Sequence, residues 1–211
     1  MKKQLICVFT ILSFSLAAQE AKKGVESLCF SMGKNIGSFS FSSGDGTKDE
    51  NLQWKMGNAF GLAAEIKLNE KQSIKPGLLY YETGAQSTFL EEKTTWQFNY
   101  MQVSGAYLYR FLNKGNLSLR AGALLAYDYL LKAEQTMGDM TYDLKEENII
   151  KSGDFSIEPL IEAGFKLSEN SRISFEYRFK RGFNQIENKD QGEKAYNIGH
   201  KLLFTISFNL K

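Results

Sequence analysis

The sequence predicts an all-β fold, a single eight-stranded antiparallel up-and-down transmembrane β-barrel. Three observations predict it. Long segments alternate between apolar and polar side chains, as the two faces of a β-strand do. Short turns alternate with longer polar stretches along the chain, which is typical of membrane barrels. The chain of 211 residues also begins with a short apolar run that is typical of an exported protein.

The N-terminal segment has the order of a secretory signal peptide. Two lysines precede an apolar run over residues 5–16, and small residues follow that run. The run is shorter than the ~20 residues that a membrane-spanning helix needs. We therefore predict a signal peptide over residues 1–18 and one barrel domain over residues 19–211.

Alternation is clearest in the segment 172–180. Ile173, Phe175 and Tyr177 share one face of this segment, whereas Glu176 and Arg178 share the other. In the segment 95–112 the aromatic residues change face near residue 100, and a β-bulge is the predicted cause. The other predicted strands cover residues 28–41, 54–68, 72–83, 117–131, 155–167 and 196–210.

The connections between the strands come in two lengths. The short turns are rich in Asn and Gly and cover residues 69–71, 113–116 and 168–171. Short turns on one rim and long loops on the other indicate periplasmic turns and extracellular loops. Both termini are then periplasmic, and the predicted location is the outer membrane. The predicted long loops cover residues 43–53, 86–94, 133–151 and 187–194.

A soluble sandwich or lipocalin-like barrel has the same alternation, but its apolar face points inward. Three features favour the membrane barrel: the signal peptide, strands longer than the usual ~5–6 residues, and aromatic residues near the strand ends. Those aromatic residues predict two girdles at the membrane interfaces. The girdles contain Trp54, Trp96, Tyr127 and Tyr129 toward the long loops, and Tyr107, Tyr109 and Phe111 toward the short turns.

If the apolar face meets lipid, the opposite face fills the barrel lumen with ionic side chains that pair with one another. We predict a structural role for this lumen charge network. An acid pair for sugar hydrolysis, Glu158 with Glu162, is the alternative interpretation, and it would need a cleft open to the sugar. The predicted network contains Arg120, Asp128, Glu158, Glu162, Lys166, Glu176, Arg178 and Lys201.

Composition argues against several kinds of chemistry. One His and 2 Cys leave few residues for a metal centre or His-based catalysis. His200 falls on the lipid face, and Leu202 occupies the position at which His-based catalysis would need a nucleophile. The net charge of +2 and the lack of a basic patch argue against nucleic acid as a partner. We therefore predict no enzyme, no cofactor and no metal site.

The stretch AFGLAAEIKLNEKQSIKPGLLYYETGAQ, residues 59–86, resembles a hallmark of the PorT-like outer-membrane β-barrel family of Bacteroidota. Leu79, Tyr81 and Gly84 match the end of that family's third strand. FNYMQVSGAYLYRF, residues 98–111, is similar to the fourth strand, although Ser-Gly replaces the proline that members usually carry. The resemblance implies insertion by the barrel-assembly machinery, which reads a C-terminal residue such as Leu210. One branch of the family is implicated in type IX secretion and gliding.

These observations predict an outer-membrane protein with a structural or interaction role. The loop residues Met140, Tyr142 and Asp143 are the candidate contact site. The expected partners are outer-membrane lipid, the barrel-assembly machinery and an envelope protein of unknown identity. Two alternatives stay open: a small passive pore or hydrophobic-ligand-binding barrel, and a lipid-modifying enzyme.

Overall fold

The computed structural model describes residues 24–42, 52–89, 92–187 and 194–210. The predicted signal peptide lies outside the described residues, as do most of the predicted loops 43–53 and 187–194. Within the part of the chain that is described, no helix is long and apolar enough to cross a membrane.

The described residues form nine antiparallel strands, and eight of these strands are long. Each long strand pairs with its neighbours along the chain, β1 pairs with β9, and β4 pairs with β5, so the sheet closes on itself. The predicted all-β barrel of about eight strands is confirmed. The strands are β1 (Val25–Ser42), β2 (Gln53–Lys67), β3 (Gln72–Phe89), β4 (Glu92–Lys114), β5 (Leu117–Met137), β6 (Met140–Asp143), β7 (Gly153–Lys166), β8 (Ser171–Gly182) and β9 (Lys194–Asn209).

Two of the predicted long loops contain paired strands. The ladder between β3 and β4 continues to the pair Phe89 and Glu92, so the stretch 86–94 is a hairpin rather than a loop. The stretch 133–151 begins with a second hairpin, in which the short strand β6 pairs with the end of β5. Gly138 makes the turn of this hairpin with a positive φ of 56°. Polar composition hid both hairpins, because their strands lack the regular alternation of apolar and polar residues that marks the barrel wall.

The two faces of the wall have opposite character. Apolar side chains on the outer face are exposed, and Leu125 and Phe175 are each 66% exposed. Ionic side chains on the inner face are closed off, and Glu158, Glu162 and Lys201 are 0% exposed. This is the orientation of a barrel in a membrane, whereas a soluble barrel would bury the apolar face.

A hydrogen-bonded polar row crosses the outer face on the side of the long hairpins, just below Met56 and Trp54, which are 61% and 47% exposed. Lys34 Nζ donates to Asn58 Oδ1 at 2.7 Å, and Asn58 Nδ2 donates to Glu82 Oε2 at 3.1 Å. Below this row, outward-facing apolar residues run from Phe60 of β2 to Leu68, which directly follows the strand. For strands tilted by ~40° this run is about 20 Å tall, close to the ~25 Å apolar band of such barrels.

The predicted bulge is present, but the extra residue is in the partner strand. The register between β4 and β5 shifts between Asn99 and Tyr100, and Leu131 of β5 is the residue without a partner there. The inner face of β4 keeps its phase through Phe98 and Tyr100, each 1% exposed. The aromatic residues therefore change face for another reason: those near the hairpins fill the interior, whereas those near the short turns face lipid.

Gly84 in β3 occupies a backbone conformation that side chains rarely adopt, with φ of +152°. A Cβ atom there would lie 1.9 Å from the backbone oxygen of Trp96 on β4. We expect Gly84→Ala to lower the free energy of unfolding by about 1–3 kcal/mol, measured by urea titration in micelles. Gly24→Ala is the matched control, since its Cβ would meet nothing within 4 Å. Equal stability of the two variants would contradict this prediction.

Candidate functional site

Arg120 makes the central ion pairs in the half of the lumen nearer the short turns. This side chain donates to Glu65 of β2 and, through Nη2, to Oε1 of Glu162 at 2.6 Å. Arg172 Nη2 contacts the same two carboxylates, at 3.1 Å and 3.3 Å. Lys75 Nζ joins them from β3, 3.4 Å from Oε2 of Glu162. These contacts tie strands on opposite sides of the barrel together.

Glu176 extends this group toward the middle of the lumen. Its Oε2 accepts from Lys75 Nζ at 2.8 Å, and its Oε1 accepts from Arg178 Nε. Deeper still, Lys201 of β9 pairs with Glu158 of β7. All five side chains are buried, so each charge relies on its partners rather than on water.

Lys180 organises the half of the lumen nearer the hairpins. Its Nζ lies 2.7 Å from Asp128 Oδ2 and 3.3 Å from Asp154 Oδ2. The same Nζ donates to the Tyr81 hydroxyl at 2.8 Å and lies 5.3 Å from the ring centre of Tyr100. Paired carboxylates and aromatic faces together compensate the buried ammonium.

The described lumen charge network is electrically balanced. Its six cations face six carboxylates, so its formal charge is zero. A neutral, side-chain-filled interior gives an ion no uncompensated charge to attract it. The cations are Lys75, Arg120, Arg172, Arg178, Lys180 and Lys201, and the carboxylates are Glu65, Asp128, Asp154, Glu158, Glu162 and Glu176.

The geometry brings seven of the eight predicted network residues together and leaves out Lys166. Lys166 is exposed and, among the described residues, makes none of these ion pairs. The reason is its place at the end of β7, where the lumen opens into the short turn. Asp154 is absent from the predicted network, although it shares the phase of Glu158 and Glu162 on the same strand. Four further charges of the observed network are absent from the predicted one: Glu65, Lys75, Arg172 and Lys180. Glu158 and Glu162 are sealed among cations, so they form no acid pair in an open cleft.

Above the charges, an apolar plug closes the lumen on the hairpin side. Phe39, Phe98 and Tyr100 point inward, and the ring centroid of Phe98 lies 5.1 Å from that of Phe39 and 6.4 Å from that of Tyr100. Trp96 packs against this plug, so it does not belong to the predicted outer girdle. Residues outside the barrel strands complete the plug from above: Leu144, Ile150 and Ile186.

The opposite end of the lumen is open and polar. A cavity of about 330 Å³ lies between the short turns 113–116 and 168–171 and the ends of β1 and β9. We call this cavity the polar mouth. Glu65 and Arg172 of the lumen charge network are part of its lining, together with Arg110 of β4.

His200 lies on the outer face, as its phase predicts. Its Nδ1 is 2.8 Å from the Tyr177 hydroxyl, and the rings of Trp54 and Phe179 lie 5.2 Å away. Leu202 occupies the next outward position on the strand and is 51% exposed. The described surroundings of His200 are therefore those of an aromatic girdle and supply neither a serine nor a carboxylate.

The candidate contact residues lie in the hairpin of β5 and β6. Met140 is 61% exposed and Tyr142 is 38% exposed, and the Tyr142 hydroxyl donates to the Met140 sulfur at 3.4 Å. Asp143 differs, because its Oδ1 accepts from the backbone N–H groups of Lys145 and Glu146. Its carboxylate shapes the turn that follows β6, so Met140 and Tyr142 remain the open part of this surface.

A closed antiparallel barrel with an apolar exterior and an ionic interior defines an outer-membrane β-barrel protein. The sequence profile described as "Outer membrane protein beta-barrel domain" matches residues 18–188, and the chain belongs to this family. No curated protein that was compared with the chain matches its sequence.

The solved structures that share the fold include two small outer-membrane proteins. Neisserial surface protein A (NspA) is 11% identical, with a TM-score of 0.53 over 87% of this chain and 97% of that one. The outer membrane protein OprG from Pseudomonas aeruginosa is 10% identical, with a TM-score of 0.55 over 89% of this chain and 97% of that one. At this level of identity the similarity is one of fold.

Proposed function

We propose that this outer-membrane barrel has a structural or interaction role in the cell envelope and carries out no catalysis. The filled lumen carries this proposal. Ion pairs occupy its middle, and the apolar plug closes it on the hairpin side. Surfaces at the two ends of the barrel are then what remains for contact with other molecules.

The hairpin of β5 and β6 is the proposed contact surface on the extracellular side. Met137, Met140 and Tyr142 expose apolar atoms at its end. Flexible Met and amphipathic Tyr side chains are suited to contact with a protein surface. The partner would be an envelope or surface protein. We also propose that the chain belongs to the PorT-like branch and comes from a member of the Bacteroidota. This assignment rests on the motif that includes Leu79, Tyr81 and Gly84.

Conductance tests the proposal against the passive-pore alternative. We expect the purified protein in planar lipid bilayers to give no steady open channel, because a passing ion would have to displace paired buried charges and the plug. A large-pore porin added to the same bilayers is the positive control. A persistent open state of the wild-type barrel would refute the structural role proposed here and favour the pore.

Cysteine labelling tests the orientation, with long hairpins outside and both termini in the periplasm. We expect Tyr142→Cys to react with a membrane-impermeant maleimide on intact cells, and Lys114→Cys, in a short turn, to react only after the outer membrane is opened. The native Cys29 is 1% exposed and should stay silent. The reverse labelling pattern would contradict the orientation.

A further inference from the structure

The polar mouth has the size and lining of a binding site. Its volume of about 330 Å³ lies within the ~300–1,000 Å³ range of small-molecule pockets. Its wall comes from several strands and turns of the closed barrel, so its shape is held by the sheet. Serine and asparagine side chains supply much of the lining: Ser27, Asn113, Asn116, Ser118, Ser168, Ser171, Ser207 and Asn209.

Two lining residues have hydrogen-bond donors to spare. Among the described residues, the Nε atoms of Arg110 and Arg172 are buried and have no hydrogen-bond partner. A buried donor without a partner is unusual and costly in a folded protein. The other unpartnered side-chain atoms of this kind include no further guanidinium nitrogen. The spare guanidinium donors of the described structure therefore both belong to the wall of one cavity.

Three cations and three carboxylates line the mouth, and among the lining charges that have no ion pair the cations are in excess. The side chain of Arg110 donates only to the backbone oxygen of Glu70, at 3.3 Å, and has no ion pair within the described part of the chain. Glu65, by contrast, is already held by Arg120 and Arg172. Lys166, which the lumen charge network leaves out, also lines the mouth. Glu26 lies 3.9 Å from Lys67, which leaves Glu169 as the lining carboxylate without an ion pair in the described part of the chain. Arg110 and Lys166 are thus two unpaired cations against one unpaired carboxylate around this polar cavity.

We infer that the polar mouth binds a small polar solute that carries a carboxylate group, with Arg110 as the main charged contact. A guanidinium presents several N–H donors in a fixed plane and matches a carboxylate well. The serines and asparagines would bind the hydroxyl or amide groups of the same solute. The carboxyl end of a short peptide and an acidic sugar share this chemistry. In the proposed orientation the mouth opens to the periplasm.

The test is an NMR titration of the folded protein in neutral micelles with four probes. Trialanine and glucuronate carry the carboxylate, while trialanine amide and glucose are their neutral counterparts. We expect at least one acidic probe to shift the amide signals of Ser118 and Ser171, and its neutral counterpart to bind about tenfold more weakly. Binding of trialanine alone identifies a peptide end as the source, and binding of glucuronate alone identifies a sugar.

Arg110→Gln is the decisive variant, because Arg110 takes no part in the lumen charge network. It should weaken binding of the acidic probe about tenfold and leave the heat-modifiable gel mobility of the folded barrel unchanged. Arg181→Gln, an exposed site near the other end of the barrel, is the matched control and should bind as wild type does. Equal binding of acidic and neutral probes, unchanged binding by Arg110→Gln, or no binding of either acid would overturn the inference. None of these outcomes bears on conductance or on the hairpin.

Discussion

Replacing Arg120 with leucine is expected to destabilise the folded barrel by about 3–5 kcal/mol. The guanidinium is 1% exposed and is shared by Glu65 and Glu162, which are 3% and 0% exposed. Leucine removes the cation and leaves two buried carboxylates with fewer partners. Urea-induced unfolding in micelles, followed by the loss of heat-modifiable gel mobility, measures the change.

A second substitution separates the loss of charge balance from the loss of packing. In the double variant Arg120→Leu with Glu162→Gln, the lumen charge network has five cations and five carboxylates and is neutral again. We expect the double variant to be more stable than the sum of the single changes predicts, with a coupling energy of about 1–3 kcal/mol. Arg181→Gln is exposed and should change stability by no more than about 0.5 kcal/mol. If Arg120→Leu were as stable as the wild type, the carboxylates of Glu65 and Glu162 would have to be hydrated, and the prediction would be wrong.

The second large effect is expected from Tyr100→Ala, which should lower the free energy of unfolding by about 3–5 kcal/mol. Tyr100 is 1% exposed, stacks on Tyr81 with ring centroids 5.5 Å apart, and lies under the Lys180 ammonium. Alanine would leave a cavity between the plug and the charges. Loss of the Tyr100 ring would also remove an aromatic face that stabilises the buried Lys180 ammonium.

Two variants of the same strand show which part of Tyr100 matters. Tyr100→Phe removes only the hydroxyl, which accepts from Asn197 Nδ2 at 3.3 Å, and should cost about 0.5–1.5 kcal/mol. Tyr107→Ala changes an outward-facing tyrosine that is 45% exposed, and it should cost much less than Tyr100→Ala. Urea titration of all three variants in micelles gives the comparison. A larger effect at Tyr107 than at Tyr100 would contradict an interior plug.

Much of the wall was predictable from the sequence. Side chains of a strand alternate in direction whatever the rest of the protein does, so Phe60 and Leu62 could be assigned to one face and Glu65 to the other. The short turns were equally clear, because Gly115 needs a positive φ, here 59°, and lies among polar residues. Seven of the candidate charges followed from the same phase. The prediction included Lys166, which lies at the open end of β7, and did not include five charges of the network: Glu65, Lys75, Asp154, Arg172 and Lys180.

The interior could not be predicted in the same way. An inward face filled by ion pairs and one filled by aromatic rings have the same period of two, so Phe98 and Tyr100 gave the impression of a change of face. The two projecting hairpins carry polar residues on both sides, and their strand character comes from pairing rather than from alternation. The composition of a single strand does not show which other strand it pairs with.

The sequence by itself determined the strands, their two faces and the class of barrel, because each of these depends on neighbours within one segment. Only the tertiary structure decided which charges meet. Lys75 and Glu176 are 101 positions apart in the chain, and their contact exists because closure of the sheet sets β3 across the lumen from β8. The same closure leaves one end of the lumen plugged and the other open, since ring size and strand stagger decide which side chains share each level of the interior.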